Sequence, residues 1–240
     1  MICQSGDDPV REVVNLNALL DHRVDGVLVS ISKNTLDHDH FRKALDQGIP
    51  VVFFDRISEE LATDRVMSDD YEGARTATKH LIRQGRKKIL HLAAPGHLVV
   101  GKDRLHGYYQ ALHAQGIERN EKYVLQCDTS QQVKAMSKII LELAREIDAI
   151  FAVNDFTAIA AMQLLQKNGY DIPGQISVAG FGDDPIATIV RPRLTTVEQK
   201  GFETGRESAR MLIERIENPD KTFYPRTRIF ECTLKIREST

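Results

Sequence analysis

Apolar residues along this chain arrive in short unbroken runs, separated by stretches in which they recur every three or four positions. The clearest case lies between Asp148 and Gln199. Residues 149–153 form a continuous apolar run flanked by polar side chains, the pattern of a strand buried on both faces of a parallel sheet. Asn154 and Asp155 follow, and both side chains suit the free N–H groups of a helix's first turn. Phe156, Ile159, Ala160 and Leu164 then recur at helical spacing until Gly169 supplies a stop. Ile172-Pro173 restarts an extended chain, residues 176–181 read as the next buried strand, and Gly182-Asp183-Asp184-Pro185 breaks it. This strand–helix–strand unit leaves polar residues at the C-terminal ends of both strands, where open parallel sheets place their ligands.

The same alternation runs through the rest of the chain. Residues 2–5 read as a strand end, followed by Gly6 and an acidic loop. Residues 10–20 read as a helix with Val13, Val14, Leu16, Leu19 and Leu20 on an inward stripe. A strand over 24–31, a helix over 36–47 and a third strand over 49–54 follow, the last ending in Asp55-Arg56. The pattern restarts near 65–70 with a helix over 71–84 stopped by Gly85, then a strand over 88–93. Pro95-Gly96 opens a loop running to Asp103, before a helix over 104–115, a strand over 123–126 and a helix over 131–147. After Gln199 a helix spans about 202–216, Asn218-Pro219-Asp220 ends it, and 227–236 is a last extended segment. Strands and helices alternating over short connections predict a doubly wound α/β architecture with parallel sheets.

Composition narrows the function classes. With 240 residues the chain can bury a sizeable core as one large domain or two small lobes. Lys+Arg 32 against Asp+Glu 34 gives a net charge of −2, so the chain as a whole carries no electrostatic footprint for nucleic acid. The cysteines Cys3, Cys127 and Cys232 are far apart and odd in number, which reads as reduced thiols in a cytoplasmic protein. No apolar run approaches a membrane span, and the start MICQSGDD lacks the basic and apolar regions of a signal peptide.

Catalytic signatures are missing. The chain contains neither GxxxxGK[ST] nor GxGxxG for a phosphate-cradling loop, and no GxSxG elbow for a serine nucleophile. Asp37-His38-Asp39-His40 has alternate metal-ligand types, but it sits at an expected helix start, where Asp serves as a cap. His91, inside a strand, reads as a hydrogen-bonded core residue, and the pairs Asp69-Asp70 and Asp183-Asp184 read as caps and turn residues. No enzyme, cofactor or metal is implied.

Several strings resemble one family. VNDFTAIAAMQLLQKNGYDIPGQISVAGF, RPRLTTVEQ and the ending LKIREST are similar to the lactose-repressor (LacI/GalR) family of bacterial transcription regulators. So are VDGVLVS from Val24, GIPVVFFDR from Gly48, the DDYEGA…HLI..G run from Asp69, and R-x-x-GY…AL from Arg104. Their order and spacing cover nearly the whole chain. The resemblance implies two doubly wound, periplasmic-binding-protein-like (type I) lobes with a ligand cleft between them. The N-terminal lobe is expected over 1–67 and 199–224 and the C-terminal lobe over 68–198 and 225–240. The chain would cross near Met67-Ser68, Thr195-Val197 and Tyr224-Thr227.

Matching positions imply ligand-binding roles for Asp55, Arg104, Asn154, Asp155, Asp183 and Gln199. Each has a plainer alternative. Arg104 brings a planar fork of donors to a hydroxyl or carboxylate, or else forms a salt bridge on a helix surface. Asn154 both donates and accepts, as a sugar or nucleobase requires, or else caps the following helix. Asp155 serves as that cap if Asn154 faces the ligand. Asp55 and Asp183 offer acceptors or cap turns, and Gln199 follows a crossover. The family's aspartate after this strand is replaced by Gly182 here, which leaves effector identity open.

Family members also begin with a helix-turn-helix, a hinge and a first strand and helix, and this sequence starts after them. The chain alone is therefore expected not to bind operator DNA, and its N-terminal lobe is expected to have open strand edges. The resulting expectation is a cytoplasmic, homodimeric effector-binding core that senses a small molecule, such as a sugar, and modulates DNA binding by a separate head. The helix near 202–216 is one candidate dimer surface. A stand-alone periplasmic-type sugar-binding protein or sensor is the alternative.

Overall fold

A computed structural model describes residues 1–219 and 222–240. The chain divides into two compact units, residues 1–68, 97–99 and 200–230 in the first and 69–96, 100–199 and 231–240 in the second.

In the first unit, α1 (Pro9–Asp21) starts where the Asp8 carboxylate accepts from the N–H groups of Val10 and Arg11 at 2.9 and 3.3 Å, with Pro9 at the first helical position. β1 (Val27–Val29), α2 (Asp39–Asp46), β2 (Val51–Phe54) and β3 (Asp64–Ser68) follow, and α9 (Gly201–Glu217) and β9 (Thr227–Phe230) return from later in the chain. The sheet order is β1-β2-β3-β9, parallel throughout the described residues. Alternate residues of β2 serve the two faces. Val51 and Phe53 pack with Leu16, Phe41 and Ala44 of α1 and α2, while Val52 packs with Val66 and with Met211 and Leu212 of α9. The inward stripe of α1 is narrower than its sequence suggests, because Val14 is exposed and the buried members are Glu12 and Leu16. Residues 2–5, read as a strand end, have no ladder partner, and Ile2 is exposed.

Asp64 gathers this unit. Its carboxylate accepts from Arg215 Nε and Nη2, both at 2.9 Å, from the Arg226 N–H at 2.8 Å and from Arg226 Nη2 at 3.1 Å. Burial pushes the carboxyl up, but the bonds from Arg215 and Arg226 outweigh it and hold the group below its ordinary range. The same contact corrects the expected third crossing near Tyr224-Thr227. With Arg226 pinned to Asp64, β9 enters register beside β3, Arg65 opposite Thr227, so the chain leaves this unit only after Phe230. Of the expected helix stop, Asp220 lies outside the described residues.

The second unit holds α3 (Asp70–Arg83), β4 (Ile89–Ala93), α4 (Val99–His113), β5 (Val124–Gln126), α5 (Ser130–Ala135), α6 (Ser137–Leu143), β6 (Ala149–Ala152), α7 (Asp155–Lys167), β7 (Ser177–Gly182), α8 (Ile186–Ile189), β8 (Thr195–Glu198) and β10 (Thr233–Lys235). The sheet order is β10-β8-β7-β6-β4-β5, with only β10 antiparallel among the described strands. Ile150, Ala152 and Val178 face Ala158, Met162 and Leu165 of α7, while Ala149, Phe151 and Phe181 face Ala74, Ala77 and Tyr108 of α3 and α4. Helices thus cover both faces, as doubly wound topology requires. The expected single helix over 131–147 breaks at Met136, and the expected loop to Asp103 is already helical from Val99. The segment 227–236 serves two sheets, as β9 and β10.

The ending stitches β7 to β8. Ser239 Oγ accepts from Thr195 N–H at 2.8 Å and donates to the Val178 carbonyl at 2.6 Å, and Thr240 Oγ1 lies 2.8 Å from both His80 Nε2 and Thr195 Oγ1. Elsewhere α3 and α4 cross backbone to backbone: a Cβ on Gly107 would lie 2.2 Å from the Tyr71 carbonyl oxygen. Gly107→Ala should therefore cost about 2–3 kcal/mol through overpacking. Gly205, exposed in α9 with nothing near its missing Cβ, should instead gain about 0.8 kcal/mol as Gly205→Ala. Thermal or urea unfolding of both variants checks the pair; equal effects would refute the close crossing.

Candidate functional site

In the second unit Arg104, Asn154, Asp155 and Asp183 are all anchored at the C-terminal ends of β6 and β7. Arg104, on α4, is buried rather than exposed on a helix surface. Its Nε donates to Asp70 Oδ1 at 2.8 Å, Nη2 lies 2.6 Å from the same oxygen, and Nη1 donates to the Val153 carbonyl at 2.5 Å. The guanidinium carbon sits 3.8 Å from the centroid of the Phe181 ring. Helix α3, strand β7 and the end of β6 therefore fix one side chain. Removing either member of so buried a pair leaves an uncompensated charge, at about 3–5 kcal/mol.

Of the two caps that the sequence leaves open for α7, the structure uses Asn154. Asn154 is the cap: Oδ1 accepts from Thr157 N–H at 2.8 Å, and Nδ2 donates to the Asp128 carbonyl at 2.8 Å. Asp155 is the first residue of α7 and turns inward, where Oδ1 accepts from Thr196 Oγ1 and Oδ2 accepts from Asp184 N–H at 2.8 Å. A Cβ on Gly180 would come within 2.4 Å of Asp155 Oδ1, so the carboxylate rests directly against the β7 backbone. Burial pushes the Asp155 carboxyl above its ordinary range; the bonds from Thr196 and Asp184 offset part of this, and the Asp183 and Asp184 charges add to it.

Asp183 follows Gly182 in the left-handed region, at φ 57°, and its Oδ1 accepts from Arg237 Nη2 at 2.6 Å. Arg237 also donates to the Leu194 carbonyl at 2.8 Å. Gln199 is the last residue of the second unit before the chain crosses, and it is half-buried. Asp55 belongs to the first unit. It follows β2 at φ 58°, with its N–H donating to the Val66 carbonyl at 3.0 Å. In that same unit the loop after β1 is held by Glu12, which accepts from Ser32 N–H at 2.5 Å and Thr35 Oγ1 at 2.7 Å and lies 3.1 Å from His40 Nε2.

The residues missed from the sequence are the partners. Asp70 was visible only as half of an acidic pair; its neighbour Asp69 is the cap of α3, accepting from Glu72 N–H at 3.0 Å, which frees Asp70 for Arg104. Thr196 and Arg237 were visible only inside family strings. Glu12 had no signal beyond its place in a helix's first turn. The histidines settle elsewhere. His40 meets Glu12, and His38 lies 3.3 Å from both Glu60 Oε2 and Ser58 Oγ. Among the described residues no group of three or more His, Cys, Asp or Glu is arranged for a metal ion. His91 is a core residue, its Nδ1 2.9 Å from the Phe151 carbonyl and its ring stacked with Tyr108 and Phe151; burial pulls its pKa down to about 4. A recess of about 840 Å³ in the first unit opens elsewhere, beside Leu20, Leu45, Ile49, Leu61 and Arg215, and no residue chosen from the sequence lines it. No helix among the described residues is long and apolar enough to cross a membrane.

Comparison with known proteins agrees with this architecture. The family of periplasmic binding protein-like domains matches residues 78–240. The HTH-type transcriptional regulator CelR of Thermobifida fusca is 35% identical over 227 residues, which cover 92% of this chain and 65% of the relative. The HTH-type transcriptional repressor PurR of Vibrio atlanticus is 33% identical over 246 residues, covering 99% and 70%. A solved CelR–cellobiose complex superposes with a TM-score of 0.86 at 32% identity, covering 97% of this chain and 71% of that one. The chain thus spans about two thirds of the length of these relatives. They are transcription regulators, not enzymes, which favours the regulator reading over a stand-alone binding protein.

The Asp155 environment has a measurable sign. A carboxyl whose folded pKa lies above its unfolded value stabilises the fold fully below the unfolded pKa and loses that contribution as pH rises through the folded one. Asp155→Asn keeps an acceptor for the Asp184 N–H, offers Thr196 a donor, and removes the titration. The melting temperature of Asp155→Asn relative to wild type should therefore rise between about pH 4 and pH 7. A difference that stays flat or falls would show that burial does not govern this carboxyl.

Proposed function

Because this chain belongs to the LacI family of transcription regulators and comprises their periplasmic binding protein-like effector domain, we propose that it senses a small sugar and controls DNA binding by a helix-turn-helix head. The observation that carries the site is the polar edge of the second unit. Arg104, locked over Phe181, keeps donors beyond those it spends on Asp70 and Val153, beside the capped start of α7 and the Asp183 turn. A guanidinium on an aromatic ring, with amide and carboxylate groups nearby, suits a hydroxyl-rich ligand. Asp55, at the C-terminal end of β2 in the first unit, is proposed separately as an acceptor for a hydroxyl. The cellobiose bound by the solved relative makes a β-linked glucose disaccharide the first candidate.

The effector acts by binding two states of the regulator unequally, a coupling typically worth about 1–3 kcal/mol. We assign the protein to the cytoplasm, as a homodimer. Phe156 on α7 and Ile189 on α8 are exposed, with Leu164, Ile186 and Val190 half-buried around them, and this face of the second unit is our choice for the dimer contact. Helix α9 instead spends Met211 and Leu212 on its own sheet, although Phe202 is exposed.

Two experiments test these assignments. Thermal unfolding against cellobiose, glucose, galactose, ribose, their phosphates and nucleobases should find a ligand. At one hundred times its Kd it adds about 2.7 kcal/mol, a rise of roughly 5–10 °C. The rise should vanish in Arg104→Lys, which keeps the charge and loses the fork. A cooperative melt that no member of the panel moves would sink the assignment. By sedimentation equilibrium the wild type should be dimeric, Phe156→Glu and Ile189→Glu monomeric, and Phe202→Glu still dimeric; dissociation by Phe202→Glu alone would move the contact to α9.

A further inference from the structure

The surroundings of Arg104 point to one more functional residue. The carboxylate of Asp70 is buried at the first residue of α3, with Asp69 capping that helix one position earlier. Carboxylates are favoured at this end of a helix. It receives Arg104 Nε and Nη2 on a single oxygen, while the Val153 carbonyl takes one N–H from Nη1. Three of the five guanidinium N–H groups are thereby engaged, and one remains on each terminal nitrogen. The Phe181 ring, 3.8 Å from the guanidinium carbon, blocks one face.

The backbone reinforces the same geometry. Gly107, one turn beyond Arg104 on α4, meets the carbonyl of Tyr71, the residue next to Asp70 on α3. The origins of both side chains are thus held by one helix crossing. A buried ion pair contributes little net stability compared with an apolar pair of the same volume. Fixing the direction of a donor fork is something an apolar pair does not do.

We propose that Asp70 is a positioning residue: it holds the Arg104 guanidinium in one orientation, so that its two remaining N–H groups meet a hydroxyl or carboxylate oxygen of the effector without reorganisation. This rests on the effector reading of Arg104. Asp70 touches no effector atom itself, so its influence passes entirely through Arg104. Pre-organisation of this kind raises affinity by removing the cost of ordering a long side chain on binding.

The test is calorimetric titration of the chain with each sugar of the panel above, using wild type, Arg104→Met, Asp70→Asn, Asp70→Leu and the double variant Asp70→Leu/Arg104→Met. Arg104→Met should weaken binding at least thirtyfold and Asp70→Asn about tenfold, the latter keeping an acceptor but losing the charge. The double variant should bind no more weakly than Arg104→Met alone. It replaces the pair by apolar groups and so remains informative if Asp70→Leu by itself fails to fold. The nitrogen-15 resonance of Arg104 Nε–H should be sharp and slow to exchange in wild type without ligand, and broadened in Asp70→Asn. Wild-type affinity in Asp70→Asn alongside weak binding by Arg104→Met overturns the positioning role and leaves the effector reading intact. Additive losses in the double variant also overturn it, since Asp70 would then act by another route. Wild-type affinity in Arg104→Met, or no binding of any sugar by wild type, overturns the effector reading itself.

Discussion

A buried carboxylate held by a hydroxyl and a backbone N–H governs the polar edge of the second unit. Asp155 leaves the first turn of α7, lies against the β7 backbone at Gly180, and takes hydrogen bonds from Thr196 of β8 and from the backbone of Asp184. Those contacts set the path of the loop after β7, and with it the left-handed turn that presents Asp183 to Arg237. They also free Asn154 to close the helix end, which leaves the Val153 carbonyl where Arg104 finds it. Burying such a group is costly unless every lone pair is used, and here glycines on β7 make the room in which partners can approach.

Three other carboxylates are treated differently. Asp64 is matched by two arginines and Asp70 by one, and the half-buried Asp183 has Arg237. Each of these pairs joins elements distant in the chain: the Arg226 N–H reaches Asp64 across 162 positions, and Arg104 reaches Asp70 across 34. A net charge of −2 conceals this arrangement, since these arginines are each matched to a carboxylate. Electrostatics here acts as local stitching, with little left over as a long-range field.

That distribution explains what could be read in advance. The strands announced themselves because burial on both faces demands unbroken apolar runs, as at Val51–Phe54 and Ala149–Ala152. A helix start was legible where Asn or Asp precedes an apolar period, as at Asn154-Asp155. Between Asn154 and Asp155 the cap could not be chosen, because both side chains can cap and only the distant Thr196 hydroxyl decides which one turns inward. The membership of β9 was hidden for the same reason: its residues are mostly exposed and its register comes from Arg226 meeting Asp64. Arg104 stood out in the sequence as a candidate, yet its burial and its partner depend on a helix crossing that local periodicity does not encode.

The stitching of the last residues bears on when this molecule can finish folding during synthesis. β10 pairs with β8, and Ser239 and Thr240 supply hydrogen bonds to Val178, Thr195 and His80. Residues 1–68, by contrast, emerge early but wait for α9 and β9 to cover the second face of their sheet. Both units therefore have ribosomal birth orders that run against their architecture: neither closes its hydrogen bonding until its final strand is released. Domains that fold as units usually do so as they emerge. Here both sheets stay open until the stretch from β9 to β10 has been made.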